Sequence, residues 1–243
     1  MRHRRVVAAL VALTAATVAF PTASARTSAW HDCVRAGERH GFLRAADGVR
    51  IAYAELGHGT GGIVFAHGAR GDLCDWMGLL RDPRLQRFRM LAFDFRGSGL
   101  SDYPDYPRSI GYRQDVIAAV AQLRRDGAQR VAVLGISRGG PAALAAAAQL
   151  YPRRAQAAIA VASIDELVGD DAIAAVRRSS MPLLVMVNAR DGLGLTPTSR
   201  AIYRASASPR KELVIAPGQG HGDVFRFPRT WKAFVAFLRR EVG

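Results

Sequence analysis

"VAVLGISRGGPAAL", residues 131–144, is a run of apolar and β-branched residues that stops at Gly135 and gives way to an alanine-rich segment. The first part reads as a buried strand and the last as a helix. Between them stands Ser137, flanked by Gly135 and Gly139 in a G-x-S-x-G arrangement. In a strand-to-helix context this pattern places a nucleophilic hydroxyl on a sharp corner above a sheet. Such a corner brings strand and helix so close that positions two before and two after the serine have little room for a Cβ. Pro141 falls in the first helical turn, where a missing N–H costs little. The helix start directs free N–H groups and a positive dipole toward developing negative charge.

A serine hydroxyl is a poor nucleophile until a base takes its proton. Beyond residue 25 the histidines are His31, His40, His58, His67 and His221. His221, in "PGQGHGD" after the last expected strand, falls on the same loop edge as Ser137 and is the expected base. His67 ends a strand, but its neighbour Gly68 suggests another role, and no partner at ligand spacing makes it a metal site. The acid that orients the base is expected to be Asp191, in "VMVNARDGLG", with Asp165, in "VASIDEL", as the alternative. The chain order Ser137, Asp191, His221 is the one known for this motif. Two backbone N–H groups must face a tetrahedral oxyanion. One is expected from Arg138, the other from Ala69 in the loop after "IVFAHG".

Outward from this stretch, apolar runs alternate with helical patterns, which indicates an α/β class with a parallel sheet covered on both faces. Strands are expected at 41–44, 50–55, 62–67, 88–95, 130–136, 155–163, 182–189 and 211–217. Helices are expected at 113–127, 140–151, 170–180, 197–207 and 229–242. The glycines of "GHGTGG" precede a strand rather than a helix, so they read as a turn and not as a phosphate loop.

Four local features together resemble the α/β-hydrolase family over nearly the whole chain beyond residue 25: "HGARGDLCDW", "DFRGSGLSD", "GISRGG" and the pair "ARDG" with "GHGD". The resemblance implies an eight-stranded, mostly parallel sheet with the active site over its carboxyl edge. It also implies that Asp94–Asp102 is a D-x-R-G-x-G-x-S turn, read as loop scaffolding first and substrate contact second. Many members insert a helical cap before the strand bearing the acid. Here residues 164–181 leave room for one helix, so a minimal cap and an open, shallow pocket are expected. Arg138 could meet an anionic acyl group or lie in solvent.

The ends and the composition frame this picture. Residues 1–25 have a basic start, an apolar stretch from Val6 to Phe20 and a small-x-small end at Ala23-Ser24-Ala25, the layout of a cleaved signal peptide. An uncleaved anchor is the alternative. A single catalytic domain is expected over 26–243, exported and without a stable membrane span. Three of the 34 basic residues lie in the leader, so 31 basic residues face 20 acidic ones beyond it. The arginines are scattered rather than clustered or interleaved with aromatics, which argues against a nucleic-acid partner. The two cysteines, Cys33 and Cys74, suit a disulfide in an oxidising compartment, with two buried thiols as the alternative.

The expected activity is therefore a secreted serine hydrolase acting on small-molecule carboxylic esters, with no cofactor and no metal. Amide or peptide hydrolysis and perhydrolase chemistry stay open, because a fold does not fix a substrate. From a different class, a binding protein on the same scaffold is the other alternative.

Overall fold

The computed structural model describes residues 30–104 and 111–243. The expected leader, residues 1–25, lies outside the described residues. Strands are β1 (Arg39–Arg44), β2 (Arg50–Leu56), β3 (Gly61–Ala66), β4 (Arg89–Phe93), β5 (Arg130–Ile136), β6 (Ala157–Val161), β7 (Glu166–Leu167), β8 (Asp170–Asp171), β9 (Leu183–Asn188) and β10 (Lys211–Ala216). Helices are α1 (Met77–Leu80), α2 (Tyr112–Arg125), α3 (Gly139–Leu150), α4 (Ala172–Arg177), α5 (Thr196–Ala205) and α6 (Pro228–Glu241). Short 3-10 turns span Leu73–Trp76 and Asp223–Arg226.

Eight strands form one sheet in the order β1-β2-β4-β3-β5-β6-β9-β10. β2 runs antiparallel to β1 and β4, and every other neighbour pair from β4 to β10 is parallel. The expected architecture of an α/β-hydrolase sheet is therefore present. Because side chains alternate along a strand, each central strand feeds two cores. On one face Val64, Leu91, Phe93, Val131 and Val133 pack beneath α2, α3, α4 and α5. Ala142, Ala143, Ala146 and Ala147 keep α3 close to the sheet on that side. On the other face Ile63, Phe65, Met90 and Leu134 meet Phe234, Phe237 and Leu238 of α6. The i, i+3, i+4 spacing of those three residues makes α6 amphipathic and seals that face.

Where observed and expected boundaries differ, a local competitor wins. β4 stops at Phe93 because Asp94 turns away to accept hydrogen bonds from the N–H groups of Leu73 and Leu100, both at 2.8 Å. β6 stops at Val161 because Ala162 has φ +41°. The helix expected over 170–180 is shortened to α4, and a hairpin, β7–β8, precedes it. Val168 and Gly169, with φ of +48° and +80°, supply the two left-handed residues that a tight hairpin demands. Asp171 then caps α4 by accepting from the Ala174 N–H at 2.8 Å. This hairpin and α4 are all that stands between β6 and β9, in agreement with a minimal cap.

Cys33 and Cys74 form a disulfide, with their Cα atoms 5.7 Å apart. The bond fastens the N-terminal segment to the turn Leu73–Trp76. His31 Nε2 lies 2.7 Å from Asp94 Oδ2, and Arg81 of the loop after α1 holds Glu38 at 2.7 Å, so three links tie that segment down. Among the described residues no helix is long and apolar enough to cross a membrane.

Candidate active site

The carboxyl ends of β3, β5, β9 and β10 open on one edge of the sheet, and the loops that follow them carry His67–Ala69, Ser137, Asp191 and His221. Ser137 follows β5 directly and has φ +51°. A left-handed backbone at a residue with a Cβ costs about 1–3 kcal/mol and persists only where its surroundings enforce it. Here the Ser137 N–H donates to the Val161 carbonyl at 3.0 Å, and the Ser137 carbonyl accepts from Gly140 and Ile164 at 3.1 and 3.3 Å. The flanking glycines have the reason that the sequence suggests. A Cβ on Gly135 would lie 2.5 Å from the Gly139 carbonyl oxygen and 2.6 Å from Ala143 Cβ. On Gly139 it would meet the carbonyl oxygens of His67 and Ala66.

His221 stands in the loop after β10. Its Nδ1 is 3.0 Å from Asp191 Oδ2 and 3.2 Å from Oδ1. The Asp191 carboxylate is wholly buried, and the imidazole is one-quarter exposed. Asp191 is fixed from behind: Oδ1 accepts from the N–H groups of Leu193 and Leu195 at 3.0 and 3.2 Å. Asn188, at the end of β9, donates through Nδ2 to the Pro217 carbonyl at 3.1 Å, which joins the acid's loop to the histidine's loop. With Nδ1–H donating to the carboxylate, Nε2 is left as the basic nitrogen.

Ser137 and His221 border one cavity of about 530 Å³. The Ser137 hydroxyl makes no hydrogen bond among the described residues, to His221 or otherwise. Contacts of this kind commonly tighten only when substrate binds. Trp76, Leu79, Ile136 and Phe225 supply apolar wall, and Asp75 and Asp223 supply carboxylates. The pocket expected to be open and shallow has a volume of about 530 Å³. Part of its wall comes from the segments 73–80 and 223–226.

On the other side of Ser137, Ala69 and Arg138 border a smaller cavity of about 40 Å³. Neither backbone N–H donates to an acceptor among the described residues, so both are available where the sequence placed oxyanion donors. Gly68 lets this loop approach, since a Cβ there would be 3.4 Å from Ser137 Cβ. His67 shapes the loop. Its Nε2 accepts from the Phe95 N–H at 3.0 Å and its Nδ1 donates to the Gly68 carbonyl at 2.8 Å. Burial pushes its pKa below the usual histidine range, against the pull of Asp94, Asp75 and Asp72. With both ring nitrogens spent, it has none for a metal. The dipeptide His67-Gly68 is visible in the residues, but this function is not, since it depends on where Phe95 falls.

Other expectations fall elsewhere. Asp165, the alternative acid, is exposed at the start of the hairpin and accepts from its neighbour Glu166 N–H at 3.1 Å, not from His221. In the Asp94–Asp102 turn, Asp94 and Arg96 act as scaffolding, while Ser98 lines the cavity beside Arg138. Asp94 is wholly buried under three donors, and Arg96 grips Asp115 at 2.7 Å and Asp47 at 2.7 Å. His31, Asp72 and Cys74 cluster closely enough to suggest a metal, but the Cys74 sulfur is committed to the disulfide.

Comparison with known proteins points the same way. A family model described as alpha/beta hydrolase fold matches residues 62–182. A dihydrolipoyllysine-residue acetyltransferase component of an acetoin cleaving system from Cupriavidus necator is 31% identical over 159 residues, covering 60% of this chain and 40% of that protein. The chain therefore spans about two-fifths of that relative's length. An esterase from Pyrococcus furiosus superposes with a TM-score of 0.71 at 19% identity, over 85% of this chain and 92% of the other. A thermophilic esterase from Thermogutta terrifontis gives 0.68 at 17%, over 84% and 100%. At such identities the two structures speak for the fold alone. The sheet order, the serine corner between β5 and α3, and the family match agree: the chain belongs to the α/β-hydrolase family.

Proposed function

We propose that the protein is an exported serine hydrolase that cleaves carboxylic esters through an acyl-enzyme. Ser137 Oγ attacks the ester carbonyl carbon while His221 Nε2 takes the hydroxyl proton. The Asp191 carboxylate holds the imidazole in the required tautomer and stabilises the imidazolium. The carbonyl electron pair becomes an oxyanion that accepts from the Ala69 and Arg138 N–H groups. Collapse of the tetrahedral species expels the alcohol, which leaves with the proton from His221. Water then gives a proton to His221 and adds to the acyl carbon. The second collapse returns that proton to Ser137 and frees the acid.

The observation that carries this reading is the Asp191–His221 pair, whose imidazole borders the same cavity as a strained, unengaged serine hydroxyl. Export is supported by the leader-like residues 1–25 and by the Cys33–Cys74 pairing. The esterase names of the two structural neighbours and the acyl-transfer name of the C. necator relative all concern acyl groups. Esters of graded acyl length, assayed beside matched amides, test the reading. Ester turnover should exceed amide turnover, and Ser137→Ala should lower it by at least about 10³-fold. Amide cleavage faster than ester cleavage would assign a different reaction to the same residues.

A further inference from the structure

We propose that the acyl half of the substrate is short and ends in a carboxylate, seated by the guanidinium groups of Arg70 and Arg138. The inference rests on the ester-hydrolase reading above and deepens it.

Stereochemistry first assigns the two sides of Ser137. The leaving oxygen must take its proton from His221, so the alcohol departs into the 530 Å³ cavity that His221 borders. The oxyanion points at the Ala69 and Arg138 N–H groups, which leaves the acyl chain to run away from His221, past those groups. Next to those two residues, joined to the large cavity through Gly68 and Ala69 but not lined by Ser137 itself, is a small cavity of about 40 Å³, and a second of about 130 Å³ shares Ser98, Tyr112 and Arg138 with it. Space that tight admits a short chain only.

Charge is divided across the serine in the same sense. The large cavity has the Asp75 carboxylate on its wall, together with Asp223, whose Oδ2 lies 3.6 Å from the Arg226 guanidinium of the same wall. Among the described residues neither small cavity is lined by a carboxylate, and between them they are lined by Arg70, Arg96 and Arg138. Arg96 is consumed by Asp115 and Asp47. Arg70 and Arg138 are exposed and form no ion pair among the described residues. Some other arginines do so, among them Arg39, Arg50, Arg81, Arg84 and Arg113, so what sets Arg70 and Arg138 apart is their place beside the oxyanion loop. Arg70 also has φ +61°, a backbone that a side chain normally avoids, in the loop that carries the Ala69 N–H. Two uncommitted guanidinium groups beside an oxyanion site, facing hydroxyl-bearing Ser98 and Tyr112, form a seat for a carboxylate. A hemi-ester of a four- or five-carbon dicarboxylic acid fits both the length and the charge.

Monobenzyl succinate and benzyl butyrate, which differ in acyl charge at similar length, provide the test. The expected result is a kcat/KM at least 10-fold higher for the hemi-ester, falling as salt is raised. Arg70→Gln and Arg138→Gln should each cut that preference several-fold, and the double variant should abolish it. Arg138→Lys should retain part of it. Benzyl butyrate cleaved as fast as the hemi-ester by the native protein, or a preference surviving in the double variant, would overturn the proposal while leaving the hydrolase reading intact. If neither ester is cleaved, fluorophosphonate labelling decides. A Ser137 that does not label ends the hydrolase reading itself. A Ser137 that labels, and is protected by succinate more than by butyrate, supports the carboxylate seat; equal protection, or none, refutes it.

Discussion

Ser137 occupies a conformation that its own side chain disfavours, and the surrounding residues are chosen to hold it there. Gly139→Ala tests that directly, because the new Cβ meets two backbone oxygens that cannot rotate away. We expect about 1–3 kcal/mol of destabilisation from overpacking, read as a lower melting temperature, with activity lost beyond that. Asp191→Asn should leave the fold nearly unchanged and lower kcat by about 10⁴-fold, since an amide favours the wrong imidazole tautomer. Steady-state kinetics beside a thermal melt separates the two effects. His67 carries the pH signature. Its pKa is depressed in the folded state by burial, so below about pH 6.5 the unfolded chain binds a proton that the folded chain refuses. Stability should therefore be present above that pH and drain away as pH falls through it. Denaturant unfolding at several pH values checks this, and His67→Gln should flatten the slope between pH 6.5 and 5.

At the scale of elements, the disulfide and the pocket walls belong together. Cys74 lies in the turn Leu73–Trp76, next to Asp75 and Trp76 of the large cavity, and its bond to Cys33 closes a 41-residue separation. On the chain-entropy model the closure stabilises the fold by about 4 kcal/mol. Cys33→Ser with Cys74→Ser should lower the melting temperature on the order of 10 °C. Calorimetry measures it, and an unchanged melting temperature would count against the bond as a structural tie. Much of the site's framework could be read from residues alone. Strands with continuous apolar character, the G-x-S-x-G corner, and the order of Ser137, Asp191 and His221 are local signals or follow from the edge on which loops fall. The hairpin β7–β8 could not be read, because Val168 is a residue that normally refuses a positive φ. Nor could the helical turns at 73–80 and 223–226, which are too short to show a period and are held by tertiary contacts. Those turns supply part of the pocket wall, so the make-up of that wall could not be read from the sequence.

For the molecule as a whole, positive charge is abundant and only partly paired: some of the arginines are bound to carboxylates on neighbouring elements. Near the serine, Arg70 and Arg138 form no ion pair among the described residues, and Asp75 lines the large cavity. The export proposal has its own check. Intact mass of protein recovered outside the cytoplasm should correspond to a chain beginning at Arg26, less two hydrogens for the disulfide.

All of this stands on one physical condition: an imidazole oriented by a buried carboxylate must be able to strip the proton from a hydroxyl held on a strained turn. The decisive measurement is the rate and position of fluorophosphonate modification, followed by peptide mass spectrometry, in the native protein and in His221→Ala. Modification should be rapid, stoichiometric and confined to Ser137, and should slow by orders of magnitude without His221. A native protein that takes up no label at Ser137, or a His221→Ala variant that labels as fast as the native one, would contradict it.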